Sequence, residues 1–269
     1  MAKEKKRLDQ ILVERGLFTG RDAAKAAIMA GEVWIGEQRA DKPGQNYPED
    51  VNIRLTGERL PFVSRGGLKL AKAVQVFDLD MRDLRVLDIG ASTGGFTDCA
   101  LQNGAAHVYA VDVGYGQLAW KLRQDERVTV MEKTNARYLD AELISPPVDM
   151  IVVDASFISL KVLLPSALQH CLKEDGLLVA LIKPQFEAGR DKVGKKGVVR
   201  DAATHLEVVQ GILAACPEMG VTPIGLDFSP ITGPEGNIEY LLLAKKGTHP
   251  QPELHAEAIV AAAAEHLGK

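Results

Sequence analysis

Two hydrophobic rhythms divide the chain. In the first, Leu8, Ile11, Leu12 and Leu17 recur at helical spacing around a stop near Gly16. Ala23, Ala24, Ala27 and Ile28 then line the inner face of a second helix, starting at Thr19 or Gly20 and ended by Gly31. Short strand-like runs follow, Val33-Trp34-Ile35-Gly36 and Val51-Asn52-Ile53-Arg54-Leu55, with turns at Lys42-Pro43-Gly44 and Gly57. Arg7, Arg21 and Lys25 fall on faces opposite the apolar residues. Fewer than about sixty residues give a marginal core, which suits a small α+β binding module better than an enzyme.

The second rhythm begins after Arg59-Leu60-Pro61-Phe62-Val63-Ser64, where proline breaks any element. A helix is predicted from Leu68 to Phe77, with Leu68, Ala71 and Val74 inward and Lys69 and Lys72 on other faces. Apolar strands near 85–89, 107–112, 127–131, 149–154, 177–183, 221–228 and 238–244 then alternate with helical stretches. That alternation predicts an α/β fold with a doubly wound, mostly parallel seven-stranded sheet. An alanine-rich helix from Glu253 to Leu267 packs on its outside. The predicted organisation is a module at 1–59, a linker at 60–64 and a larger domain at 65–269.

The first strand of that sheet runs into a glycine turn, Asp88-Ile89-Gly90-Ala91-Ser92-Thr93-Gly94-Gly95-Phe96, and then into a helix. Such a turn builds a nucleotide-like pocket at a strand's carboxyl end, and glycines permit close backbone approach. Asp112 ends the next apolar run, where a carboxylate can accept hydrogen bonds from a ribose diol. The spacing is Gly-x-x-x-Gly-Gly, neither the dinucleotide pattern nor a phosphate-binding P-loop. Asp88 would repel a pyrophosphate there, so a cationic sulfonium ligand such as S-adenosylmethionine fits better; a bare strand-to-helix turn is the alternative.

Composition narrows the class. The 269 residues are 46% hydrophobic and 25% charged, as in a soluble globular protein. No apolar run is long enough to span a bilayer, and no signal core follows the charged N-terminus, so a cytoplasmic location is expected. Cys99, Cys171 and Cys216 are far apart and suggest a reducing compartment; the histidines show no metal spacing, so no metal is expected. The net charge of −4 is uneven: residues 1–72 carry 14 Lys/Arg against 10 Asp/Glu, while Arg190, Lys192, Lys195, Lys196 and Arg200 face one acid, Asp191. Two basic islands in an acidic chain suggest a polyanion held at two places, though solvated surface explains either island alone.

Strand ends carry the chemistry in such sheets. Asp154 closes the 149–154 run, Lys183 closes the 177–183 run, and Glu239 lies in the last strand. One such residue is often only the solvated lip of a sheet. Three of them with Lys69 on the same rim are harder to dismiss.

Residues 6–55 resemble an S4 RNA-binding domain through Arg7-Leu8-Asp9, Gly16, Arg21, Ala23-Ala24, Ile28, Gly31-Glu32-Val33 and Lys42-Pro43-Gly44. The resemblance implies RNA contacts from Arg7, Arg21, Lys42 and Lys25, with Arg65, Arg190, Lys192, Lys195 and Lys196 expected to add to them. The second domain resembles the FtsJ ribose 2′-O-methyltransferases, whose Lys-Asp-Lys-Glu tetrad matches Lys69, Asp154, Lys183 and Glu239. With Val63 to Lys69, Val153 to Ser159 and Lys183-Pro184-Gln185-Phe186-Glu187, nearly the whole chain is similar to the TlyA family. That family is known both as haemolysins and as enzymes modifying cytidines of 16S and 23S ribosomal RNA.

The resemblance implies a Rossmann-like methyltransferase sheet that holds S-adenosylmethionine through Asp88, Gly90, Ser92, Gly94, Gly95, Phe96, Asp112 and Asn135. A ribose hydroxyl must lose a proton as it attacks, and a lysine can take it only if its pKa falls from about 10.4 through a nearby cation or desolvation. Lys183 is the expected base and Lys69 the second cation, with Asp154 and Glu239 holding both. Stretch 190–200 is expected to be a flexible loop that closes over RNA on Gly189, Gly194 and Gly197. Ribosomal RNA is the expected partner, with a monomer favoured. A membrane-active haemolysin and a non-catalytic assembly factor are the readings from other classes.

Overall fold

The computed structural model describes residues 5–18, 20–56, 60–194, 196–233 and 235–268, with only the backbone at Arg190. Thr19, the Gly57 turn, Arg59 and Lys195 lie outside the described residues. The chain divides into two compact units, Met1–Leu60 and Pro61–Lys269. The boundary assigns 61–64, expected in a linker, to the second unit, where Phe62 and Val63 pack on its core.

In the first unit, β1 (Lys5–Arg7) runs into α1 (Leu8–Glu14), and α2 (Arg21–Ala30) follows. Gly31 closes α2 at φ +78°, where its lack of a Cβ allows the left-handed cap, and the Glu32 N–H reaches back to the Ala27 carbonyl. Strands β2 (Val33–Ile35), β3 (Gln38–Arg39), β4 (Asn46–Pro48) and β5 (Ile53–Leu55) complete it. A three-stranded sheet has the order β3-β2-β5, and β4 pairs antiparallel with β1. Leu8, Leu12, Ala24, Ala27 and Ile28, on the helical faces that the hydrophobic spacing marks, form the small core with Val33 of β2, whereas Ala23, expected on the inner face, is exposed.

The second unit opens with α3 (Gly66–Val76), then β6 (Arg85–Ile89), α4 (Gly95–Gln102), β7 (His107–Val111), α5 (Trp120–Arg123) and β8 (Val128–Met131). It continues through β9 (Val148–Val153), α6 (Leu160–Leu163), α7 (Pro165–His170), β10 (Leu172–Ile182) and α8 (Pro184–Glu187). It ends with α9 (Ala202–Ala215), β11 (Val221–Phe228), β12 (Tyr240–Lys246) and α10 (Ala256–Leu267). The seven strands have the order β11-β12-β10-β9-β6-β7-β8. Strands β8, β7, β6, β9 and β10 are parallel, whereas β12 is antiparallel to both neighbours. Strand β10 starts at Leu172, not Leu177, with its register shifting between those residues.

The parallel strands are apolar on both faces because helices cover both. Leu87, Ile151, Val153, Leu178 and Ile182 pack with α6, α7, α9 and α10; Val86, Met150, Val152, Val179, Leu181, Leu241 and Leu243 pack toward α3 and α4. The rotation of α3 differs from expectation. Leu70 and Ala73 are its fully buried apolar residues, Leu68, Ala71 and Val74 are only partly covered, and Lys69 is itself buried. Lys69 turns inward because carboxylates there receive its charge.

Candidate active site at the carboxyl edge of the sheet

Side chains alternate between the two faces of a strand. Asp154 continues the face of Met150 and Val152, Lys183 that of Val179 and Leu181, and Glu239 that of Leu241 and Leu243; all belong to the face covered by α3. The inversion of β12 supplies the last member. Ile182 at the exit of β10 pairs with Tyr240 at the start of β12, so Glu239 lies beside Lys183 at the same rim.

The four charges expected from the sequence meet there. Lys69 Nζ donates to Glu239 Oε2 at 2.6 Å and to Asp154 Oδ2 at 3.4 Å. Lys183 Nζ lies 2.5 Å from Asp154 Oδ1 and donates to Ser156 Oγ at 3.2 Å. Asp154 therefore bridges the two ammonium groups. Lys69, Lys183 and Glu239 are 7%, 6% and 1% exposed. Burial pulls the Lys69 pKa down, but Asp154 and Glu239 outweigh it and hold it above the ordinary lysine value. Lys69 is thus a fixed cation, while Lys183 has one carboxylate and one hydroxyl beside it.

The glycine turn is the second part of the site. Gly90, Ser92 and Gly94 have φ of +84°, +48° and +96°. Asp112 fixes this conformation by accepting the Ser92 N–H at 2.8 Å and the Gly114 N–H at 2.7 Å. The glycines answer first to the protein. A Cβ on Gly90 would come within 2.9 Å of the Asp154 carbonyl oxygen, one on Gly95 within 2.7 Å of the Gly67 nitrogen, and one on Gly94 would strike Leu122. The turn is wedged between β9, α3 and α5, which accounts for its lack of side chains before any ligand is considered.

Other expected cofactor residues divide. Asp112 stands partly exposed at the rim, and the exposed Ser92 hydroxyl donates to Gln117. Asn135 uses its side-chain oxygen to accept the Arg137 N–H. Phe96 is 3% exposed within the core, so it supports the turn from below and does not line it. Asp88 is likewise fully buried: Oδ2 accepts the Thr97 hydroxyl at 2.6 Å, while Oδ1 has no partner. Burial raises its pKa to about 7, against the Thr97 bond and with the help of Asp154 and Asp112. The partly exposed Asp112 carboxylate beside the glycine turn suits the ribose diol of a nucleoside ligand.

Two residues of the 153–159 stretch have no role assigned from sequence. Ser156 touches Lys183, and Phe157 follows it at φ +67°, a costly conformation for a non-glycine residue that is favoured only where surroundings impose it. Phe157 is 91% exposed, with its ring 5.1 Å from that of Phe186. The positive φ at Phe157 is not written in an amino-acid string.

The basic candidates are dispersed. In the first unit, Asp9 is completely buried and receives Arg7 at 2.9 Å and Arg21 at 3.0 Å. The Arg7 guanidinium also lies against Gly44, so Arg7, Arg21 and the turn bearing exposed Lys42 form one face. Lys25 pairs with Asp22 beside it. In the second unit Arg65 is exposed at the start of α3. Lys192 pairs with Glu207, and with Lys196 and Arg200 it lines a cavity of about 370 Å³. The stretch is not loose throughout: Arg190–Lys192 form a 3₁₀ turn, and Val199 is 3% exposed with both backbone groups bonded.

The FtsJ-like methyltransferase family matches residues 62–246. The Mycobacterium tuberculosis (strain ATCC 25618 / H37Rv) 16S/23S rRNA (cytidine-2′-O)-methyltransferase TlyA is 45% identical over 90% of this chain and 90% of its own. YqxC of Bacillus subtilis (strain 168), provisionally named an rRNA methyltransferase, is 54% identical over 90% of this chain and 86% of its own. A solved structure from Streptococcus thermophilus, provisionally named a hemolysin, superposes with a TM-score of 0.78 at 45% identity, covering 99% of this chain and 98% of that one. With that family matched over most of the chain, and a charge cluster and glycine turn at one rim of its sheet, the protein belongs to the TlyA family of FtsJ-like methyltransferases.

Proposed function

We propose that the protein transfers a methyl group from S-adenosylmethionine to the ribose 2′-hydroxyl of cytidine in ribosomal RNA of one or both subunits. The observation that carries this reading is the cluster of buried Lys69, Lys183 and Glu239 around half-buried Asp154, at the rim that also holds the glycine turn. S-adenosylmethionine, when bound, supplies an electrophilic methyl on a sulfonium. Asp112 takes the ribose diol, the 90–95 turn the methionine portion, and Asn135 the adenine edge, where its amide nitrogen remains after the oxygen has capped Arg137. Asp88 acts from beneath the turn by holding Thr97 in place.

Lys183, once its ammonium has released a proton to solvent, would take the 2′-hydroxyl proton as the ribose oxygen forms its bond to the methyl carbon and the carbon–sulfur bond breaks. Asp154 and Ser156 occupy two directions around Lys183 Nζ, leaving a third for the substrate. The Lys69 ammonium stabilises the negative charge growing on that oxygen, and Glu239 holds it there. Alignment of oxygen, methyl and sulfur supplies much of the rate. The first unit binds RNA as an S4-type domain through Arg7, Arg21 and Lys42, aided by Lys25. Arg65, Arg190, Lys192, Lys195 and Lys196 extend the contact from the second unit.

The protein acts in the cytoplasm as a monomer. Among the described residues no helix is long and apolar enough to cross a membrane. Incubation with labelled S-adenosylmethionine and unmodified ribosomal subunits, followed by mass-spectrometric mapping, is expected to place the label on a cytidine ribose. Intact cofactor binding with no label in any RNA overturns the proposal.

A further inference from the structure

Glu239 is carried by a short segment that a buried polar network holds from outside the four-charge cluster. Asn237 donates from Nδ2 to the Gly197 carbonyl at 2.9 Å and accepts the Val199 N–H at 3.1 Å. The Val199 carbonyl accepts from His205 Nε2 at 2.9 Å, which leaves His205 Nδ1 to accept from the Tyr240 hydroxyl at 2.8 Å. Asn237 and Tyr240 bracket Glu239 in the chain, and the Ser229 N–H donates to the Glu239 carbonyl at 2.8 Å. Val199, His205 and Asn237 are each 3% exposed, and Tyr240 is 1% exposed.

The mechanism uses none of these groups except through Glu239. Burying an amide, an imidazole and a phenol is costly unless each is bonded, and apolar side chains of similar size would fill the space without that demand. What a satisfied polar network adds is one specified geometry. Its two ends are informative. One end is the segment Gly197–Val199, flanked by Lys196 and Arg200 of the basic cavity; the other is the backbone on both sides of Glu239. A shift of the basic stretch on meeting phosphate would pull directly on Asn237 and, through His205, on Tyr240.

We propose that Asn237 and His205 are positioning residues: they form a latch through which Lys192, Lys196 and Arg200, on engaging RNA phosphate, set Glu239 and thereby the Lys69 ammonium. The inference rests on the RNA-methyltransfer reading and extends it, because RNA contact and assembly of the reaction centre become one event.

A double-mutant cycle on the full-length protein tests it, with methyl transfer to unmodified ribosomal subunits and S-adenosylmethionine affinity by calorimetry measured in parallel. Lys192→Ala with Lys196→Ala in the otherwise unchanged protein is expected to raise KM and lower kcat about tenfold, within the coupling range of connected sites. In an Asn237→Asp background, whose kcat is already reduced, the same pair should raise KM alone. Asn237→Asp keeps the side-chain size and the acceptor for Val199, and His205→Gln provides a second break in the latch, so the result does not hang on one fold-sensitive variant. Cofactor affinity should stay constant across the cycle. Equal kcat losses in both backgrounds, with the unmutated protein active, overturn the latch alone. No transfer to RNA by the unmutated protein overturns the functional reading and the latch together.

Discussion

Each unit of the protein contains a cluster of ion pairs, and the two clusters differ in how much of their charge water can reach. Among the described charged residues of the first unit only Asp9 is buried, and the Arg7 and Arg21 side chains are 46% and 53% exposed. One acid orders two cations and leaves an outward excess of positive charge. The hydrogen bond from Arg7, joined by Arg21, keeps the Asp9 pKa at about 2 despite burial. In the second unit Lys69, Lys183, Asp154 and Glu239 balance each other, and the side chain most open to water, that of Asp154, is 18% exposed. An unbalanced, exposed cluster can hold a polyanion; a balanced, dry one can fix where a proton goes. The same Coulomb attraction serves both, and solvent access decides which.

That contrast can be broken from either side. The largest effect is expected for Lys183→Ala, which should lower methyl transfer by about 10²- to 10⁴-fold, the usual contribution of a positioned proton acceptor, with cofactor affinity nearly unchanged by calorimetry. Glu239→Ala strands the Lys69 ammonium in a buried site and should cost about 3–5 kcal/mol in denaturant unfolding. Retained stability in that variant would mean the cluster is wetter than its geometry shows.

Asp88 gives a pH test. Its folded pKa of about 7 exceeds the ordinary 3.8, so the native state holds a proton that the unfolded chain releases between those values. The stability this contributes is complete below about pH 4 and is lost as pH rises through 7. Asp88→Asn should therefore gain stability relative to the parent protein as pH rises from 4 to 7, by a few kcal/mol on the order of magnitude. A pH-independent difference in chemical denaturation would refute the buried, proton-holding carboxyl.

Smaller effects belong to the exposed cluster. Arg7→Ala with Arg21→Ala should weaken RNA binding and reduce the slope of log affinity against log salt by about one for each phosphate no longer neutralised, with cofactor binding unaffected. Lys25→Ala should be the mildest, changing stability by less than about 0.5 kcal/mol, because its partner Asp22 is almost fully exposed. A drop in RNA affinity in that variant as large as in the arginine pair would place the RNA-binding face differently.

Much of the fold was legible because strand and helix periods differ. The helical faces of Leu8–Leu12 and Ala24–Ile28, and the ends of the strands just before Asp154 and Lys183, follow from spacing alone. The α3 face was misjudged because periodicity counts apolar residues, and Lys69 is a charged residue that faces inward. Phe96 was placed at the cofactor because it belongs to the glycine motif, yet the first turn of α4 points it into the core. Asp88 is expected from sequence to be a charge facing a ligand; instead it is buried beneath the turn, where it braces Thr97 and its pKa is raised to about 7.

The amino-acid string by itself determined the two hydrophobic rhythms, the glycine turn and the identity of the four charges, since local spacing and side-chain chemistry are properties of neighbours in sequence. The rim position of Glu239 is an expectation from sequence, but only the tertiary structure shows how it arises: β12 runs against β10, so the residue before its start lies beside the end of β10. Nor could spacing show that Asp154 bridges both lysines while Asn237 ties the basic stretch to Glu239. Those relations join residues far apart in the chain, and their distances and burial are set by sheet order and packing, which no periodicity encodes.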